Sequence, residues 1–259
     1  ATAIFGEEAH HPERTIPRAT YVAVLLITVF YAISTWAIVQ HYGPSHVQEA
    51  ANASLEGFYF NAAGELLGGW AVETMNLLLL TSLFACLLSF HNTLNRYFYT
   101  LGHEGLAWKP LSKVHSRHGS PHIAGYVQAI LVAIIIGGFA IGGADPYTVV
   151  FSWMSALAVL AILGVQVLVC VAVIAFFSKE RYGRSIFVTV IAPVLSLIGL
   201  FRAFILVSSN LSMLTGSESM LVKTFPEFVV LLGIVGLGIA LWLKRSNPDL
   251  YARLGRAFD

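Results

Sequence analysis

The feature that most constrains this chain is a series of apolar runs, each long enough to cross the hydrocarbon of a bilayer. They occupy residues 20–40, 70–101, 123–141, 147–177, 186–207 and 226–243. A helix rises about 1.5 Å per residue, so about 20 apolar residues cover a core about 30 Å thick. Hydrocarbon offers the backbone no partners, and these runs are continuous rather than alternating, which selects helices over a barrel. The expected fold class is therefore an all-α integral membrane protein with six spans. Composition agrees, with 57% hydrophobic residues and 11% charged, where soluble domains carry about a quarter.

Charge placement supplies an independent test. Six spans alternate sides, so residues 6–18, 102–121, 178–185 and the tail after 243 share one side. Twelve of the 15 Lys and Arg residues lie in those segments and Arg96, near the end of the 70–101 run, falls with them; Lys223 falls with the other side, and Arg202 lies inside a span. By the positive-inside rule that side is cytoplasmic, and both ends of the chain are expected there, in a multi-pass protein of the cell membrane. Residues 41–69 are polar and broken by Gly43-Pro44 and Gly68-Gly69, and two short helices near 45–53 and 60–67 are expected to form a hairpin there. The chain begins without an initiator Met or a basic-then-apolar leader and reads as a piece of a longer protein.

Several function classes lose support. A net charge of +1 with no basic aromatic patch gives no reason to expect nucleic acid as a partner. Cys86 and Cys170 lie inside apolar spans and form no CxxC pair. His115, His118 and His122 have a ligand-like spacing, but Gly119 and Pro121 interrupt any helix that would align them, and a solvated loop is the expected reading over a zinc site. No HExxH, GxSxG or paired intramembrane Asp pattern is present, so neither a metal cofactor nor an enzyme is expected.

The run at 70–101 differs from the others. On a helical projection Ser82, Ala85, Cys86, Ser89, Asn92, Thr93 and Arg96 fall within an arc of roughly 120°, while Leu79, Leu80, Leu83, Phe84, Leu87 and Leu88 take the other faces. A small, polar stripe on a spanning helix must meet protein or water. Ser82, Ser89 and Asn92 are thus candidates to line a site, with helix packing as the bland alternative. His91 is either an intramembrane functional group or an interhelical hydrogen bonder. In the 147–177 span, Ser152, Ser155 and Gln166 share a face beside Trp153, and packing competes with a site there too. Arg202 is expected to snorkel to the interface. Glu7, Glu8, Glu13, Arg14 and Arg18 form a charge cluster whose role is gating or solvation.

Two segments carry a family resemblance. FGEEAHHPERTIPRA at residues 5–19 is similar to the E-E-x-x-x-P-x-R-x-I-P-R-A signature of the amino acid–polyamine–organocation (APC) superfamily of amino acid permeases. HNTLNRYFYTLGHEGLA at 91–107 resembles the family's run from an Arg, here Arg96, to a Gly, here Gly105; the Pro that follows in the family is displaced here to Pro110. DPYTVVFSW at 145–153 looks like the start of helix ten in bacterial members. The resemblance implies a leucine-transporter-like inverted-repeat fold, of which this chain holds only the C-terminal six transmembrane helices, seven to twelve. Residues 1–19 would then be the end of helix six and a cytoplasmic loop, and residues 20–259 the six-helix region. It further implies a secondary transporter for amino acids or related amines, completed by an N-terminal half that carries helices one and six. Ser89 and Phe90 match positions where helix eight faces substrate and a second sodium site, and Glu7, Glu8, Arg14, Arg18 and Arg96 become candidates for a cytoplasmic gate. Sodium-coupled relatives often place adjacent hydroxyls there; Ser-Phe favours proton coupling or exchange over sodium, although a register on Thr81-Ser82 would restore the pair. A non-transporting membrane anchor or receptor subunit is the competing reading, and a membrane enzyme the third.

Overall fold

The structure is a computed structural model that describes residues 11–54, 56–179, 183 and 185–254. Its described residues form helices joined by turns and loops, with no strand among them: α1 Pro12–Tyr42, α2 Val47–Ala53, α3 Phe58–Leu67, α4 Gly69–His103, α5 His122–Ile141, α6 Ser152–Lys179, α7 Ala192–Ser209, α8 Leu211–Thr215, α9 Met220–Lys223, α10 Phe225–Ser246 and α11 Pro248–Arg253. Six stretches are long and apolar enough to cross a membrane: Pro12–Tyr42, Gly69–His103, His122–Ile141, Pro146–Ser178, Phe187–Ser209 and Phe225–Ser246. Their surfaces stay largely apolar and exposed, as Leu25, Leu80, Ile134 and Leu195 show; for such helices the lipid tails complete the packing.

The chain divides into two compact units, residues 1–100 with 110–125, and residues 101–109 with 126–259. In the first, α1 starts earlier than the sequence suggests. Pro12 sits in its first turn, where a missing N–H costs nothing, and Pro17 lies inside it. Arg14 and Arg18 are therefore on a helix and not in a loop. At its far end α1 stops at Gly43, whose φ of +80° suits a residue without Cβ. The α2–α3 hairpin follows, with Gly68 at φ +90° leading into α4. Tyr42 anchors the hairpin: its ring stacks on Phe58 at 4.8 Å, and its hydroxyl donates to the Phe58 carbonyl at 2.8 Å. Ala62 on α3 and Ala71 near the start of α4 are buried, and a Cβ on Gly64 would stand 3.3 Å from Val72 Cγ2.

The second unit is built on α6, which packs against α7, α8 and α10. Ala156, Leu160, Leu211, Val222 and Phe225 form its core, with Trp153, Leu157, Phe204, Val207 and Val229 around them. Gly164 lets α10 come close, since a Cβ there would stand 3.2 Å from Val229 Cγ1. Two π-helical turns, Pro146–Phe151 and Phe187–Ile191, open α6 and α7. The second lies just before Pro193, where a widened turn relieves the clash between the proline ring and the preceding carbonyls. Asp145 caps the first: Oδ1 accepts hydrogen bonds from the Tyr147 and Thr148 amides at 3.0 and 2.7 Å and from Thr148 Oγ1 at 2.8 Å. Those donors hold its carboxyl below the usual carboxylate range, the Thr148 amide most of all. The Gly138-xxx-Gly142 pair remains open. A Cβ on Gly138 would meet nothing within 4 Å, and the two glycines line an apolar groove of about 530 Å³ with Ile134, Ile135, Phe139 and Trp153.

Candidate functional site

The stripe on α4 emerges as the sequence pattern places it, on one helix and on one side. Ser82, Ala85, Cys86, Ser89 and Asn92 are all exposed, and so is Phe90. Among the described residues of the first unit nothing covers this face, so its small and hydroxyl-bearing side chains are open along about three helical turns. Thr81, beside the stripe, donates its hydroxyl to the carbonyls of Leu77 and Leu78, each at 3.0 Å, which leaves the oxygen lone pairs as acceptors. Lower on the helix Thr93 and Arg96 are half-buried, and Arg96 is engaged by neighbouring groups.

The structure adds a polar face that the stripe does not include. His91 and Asn95 lie one turn apart and roughly opposite the stripe on the helix. Both approach Gly125 in the first turn of α5: a Cβ there would stand 3.4 Å from Asn95 Nδ2 and 3.6 Å from His91 Nε2. Asn95 Oδ1 is enclosed and meets no hydrogen-bond donor among the described residues. The C-terminal third of α4 therefore carries polar groups on two faces, one open and one packed. The signal in the sequence was the i, i+4 His-Asn pair itself; a single-arc reading of the helix passes over it.

Ser152 and Ser155 belong to the second unit. Ser152 Oγ donates to the Tyr147 carbonyl at 3.1 Å and serves the π turn, and Ser155 is half-buried next to the core residue Ala156. Gln166, on the same face, is exposed. Among the proposed gate residues, Arg14 and Arg18 are exposed on the opening turns of α1, while Glu7 and Glu8 lie outside the described residues. The rings of His115 and His118 stand 4.9 Å apart, those of His115 and His122 5.5 Å apart, and His115 Nδ1 accepts from the Arg117 amide at 3.2 Å. Among the described residues, no three His, Cys, Asp or Glu side chains are arranged to hold a metal. Arg202 is exposed on α7.

Six apolar helices with a polar stripe on one of them define a multi-pass helical membrane protein. The sequence matches the amino acid permease family over residues 1–250, and the chain belongs to that family, within the APC superfamily. It is 29% identical over 132 residues to the branched-chain amino acid permease BcaP of Lactococcus lactis subsp. cremoris (strain MG1363), a match that covers 51% of this chain and 27% of that protein. The aligned stretch is thus about a quarter of the relative's length. No solved structure matches.

Proposed function

We propose that this chain is the helix-seven-to-twelve part of a secondary active transporter for amino acids or related amines, working by alternating access with an N-terminal half of the same protein. The observation that carries the reading is the open α4 stripe in a chain of permease kinship. Side chains such as Ser82, Ser89 and Asn92 are costly against lipid and useful against a polar solute or a facing helix. Ser89 and Phe90 then face the substrate, Ser152 and Ser155 contribute from α6, and Arg14, Arg18 and Arg96, with Glu7 and Glu8, work the gate on the cytoplasmic side. The thirteen-to-one distribution of Lys and Arg supports that orientation in the plasma membrane, with both ends of the chain inside. Ser-Phe at 89–90 offers one hydroxyl where a sodium site would want two, which supports proton coupling or exchange. The relative's printed substrate class, branched-chain amino acids, makes Leu, Ile and Val the first substrates to try.

The test is uptake of radiolabelled amino acids and amines into proteoliposomes holding the complete transporter. Saturable uptake of a member of the panel, driven by an imposed proton gradient or by counter-substrate, is the expected result. Properly folded protein that moves nothing under proton, sodium or exchange conditions overturns the transporter reading and leaves the anchor-subunit alternative standing.

A further inference from the structure

In the second unit, the end of α10 and the short helix after it form a small basic and aromatic face. Trp242 is 65% exposed near the end of the apolar run, and Lys244 and Arg245 follow it, both exposed. At 1.5 Å per residue, these cations begin only about 3 Å beyond the indole along the helix. Asn247 then turns the chain, its Oδ1 accepting from the Leu250 amide at 3.1 Å, and α11 packs back against α10. That return brings the Tyr251 ring under Lys244, whose Nζ stands 6.0 Å from the ring centroid. Leu250 meets the loop after α4, where a Cβ on Gly105 would stand 3.8 Å from Leu250 Cδ1. From the same loop Trp108, 63% exposed, and Lys109 reach the surface. Lys109 is engaged by neighbouring groups. Lys244 and Arg245 meet no carboxylate within ion-pair distance among the described residues.

We infer that this face binds the headgroup of an anionic phospholipid, with Lys244 and Arg245 on the phosphate and Trp242 beside the upper acyl chain. Cations in the last turn of a helix complement its dipole, and basic residues on one membrane face set topology. Neither role calls for an exposed indole just before the cations or for a ring beneath the ammonium. Trp and Tyr settle at the depth of the headgroups, so the two cations without a carboxylate partner stand at that depth as well. The anion found there is a lipid phosphate; a soluble acidic partner meets cations that stand farther out in water. The fit is one of charge. Phosphatidylglycerol carries a net negative charge to offset the pair, and phosphatidylcholine carries none. The inference needs only that these helices cross a bilayer. It does not depend on which side is cytoplasmic or on what the protein transports.

Native mass spectrometry of the complete protein in detergent, titrated with phosphatidylglycerol and with phosphatidylcholine, reads the first bound lipid of each. The expected result is a preference for phosphatidylglycerol of at least about fivefold. It should fade as salt rises from about 0.05 M to about 0.5 M. Lys244→Gln and Arg245→Gln should each weaken the first phosphatidylglycerol by about three- to fivefold and leave phosphatidylcholine unchanged. Tyr251→Leu, which takes the ring from beneath Lys244, should weaken it by about twofold. Lys113→Gln combined with Arg117→Gln, which neutralises exposed cations of the first unit, should change nothing. An equal loss in that control overturns the inference, since the attraction would then be the general one of a basic membrane face. Wild type that shows no preference, or a preference indifferent to salt, overturns it too, and that arm needs no variant to fold. So does displacement of the lipid by millimolar inorganic phosphate, which would make the face a site for a soluble anion. Each of these results leaves the transporter reading untouched, because uptake is not the readout.

Discussion

Helices α4 and α6 are both long, both apolar and both dotted with serine, yet they use their polar groups in opposite ways. On α6, Ser152 bonds to its own chain at Tyr147, Ser155 sits half-buried beside the core, and Ala156 and Leu160 are 4% and 0% exposed. Three other helices lean on it. On α4, Ser82, Ser89 and Asn92 are open, while His91 and Asn95 pack on Gly125 and Ala71 is buried near the start of the helix. A polar group that is satisfied within its own unit is part of the scaffold. One left open on a spanning helix has its partner elsewhere, in another helix, in water or in a solute.

If that contrast is right, the two helices should fail differently when mutated. The largest effect is expected at the heart of the scaffold. Leu160→Ala leaves a cavity among Ala156, Val222 and Phe225 and should cost about 2–5 kcal/mol. Leu83→Ala, at a position 54% exposed, should stay within about 0.5 kcal/mol. Thermal unfolding of the protein in detergent compares the two, and equal shifts would erase the distinction between a packed α6 and an open α4.

Next comes the face of α4 that packs on Gly125. Gly125→Leu drives a side chain into Asn95 and His91 and should destabilise by about 1–3 kcal/mol, whereas Gly125→Ala, with contacts at 3.4 and 3.6 Å, should be tolerated. A tolerated Leu would mean that the C-terminal end of α4 is as open as its stripe.

The third prediction concerns the stripe and rests on the proposed transport. Ser89→Trp should lower uptake at least tenfold, about 1.4 kcal/mol, with little change in melting temperature. Ser155→Trp should do the reverse, lowering the melting temperature first, because its surroundings are already filled. If Ser89→Trp melts the protein instead, the stripe is a packing surface and α4 and α6 are alike after all.

How much of this was legible beforehand differs along the same lines. The six apolar runs were plain, because span length and the bilayer's intolerance of unpaired backbone leave few alternatives. The hairpin was announced by Gly43-Pro44 and Gly68-Gly69, and the α4 stripe by helical periodicity. The start of α1 was misjudged because Pro12 and Pro17 look like loop punctuation, although a helix's first turn has no use for the N–H that Pro12 lacks. The π turns were not foreseen: Pro193 signals a disturbance but not its form. The Asn95–Gly125 approach joins residues 30 positions apart, and no periodicity within one helix reports on the residue that faces it. Ser152 carried the same letter as Ser89, and only the carbonyl of Tyr147 reveals that its hydroxyl is already in use.

The smallest expected effect lies at the start of α6, where the scaffold's own polar chemistry can be titrated. The Asp145 carboxylate accepts from two amides and one hydroxyl, and these bonds hold its carboxyl below its ordinary value. A group whose proton affinity falls on folding stabilises the fold while it is ionised. That contribution is present above the ordinary carboxylate range and is lost as pH falls through the lowered value. Asp145→Asn keeps an oxygen that can cap the turn but removes the charge. The variant should melt slightly below wild type at pH 7, and the gap should narrow as the pH falls below about 4. A gap that stays constant across that range would show that the cap acts through its shape alone, and the pH-dependent part of α6 stability would have to be sought at another carboxylate, such as Glu218, which Lys223 at 2.7 Å holds below its ordinary value.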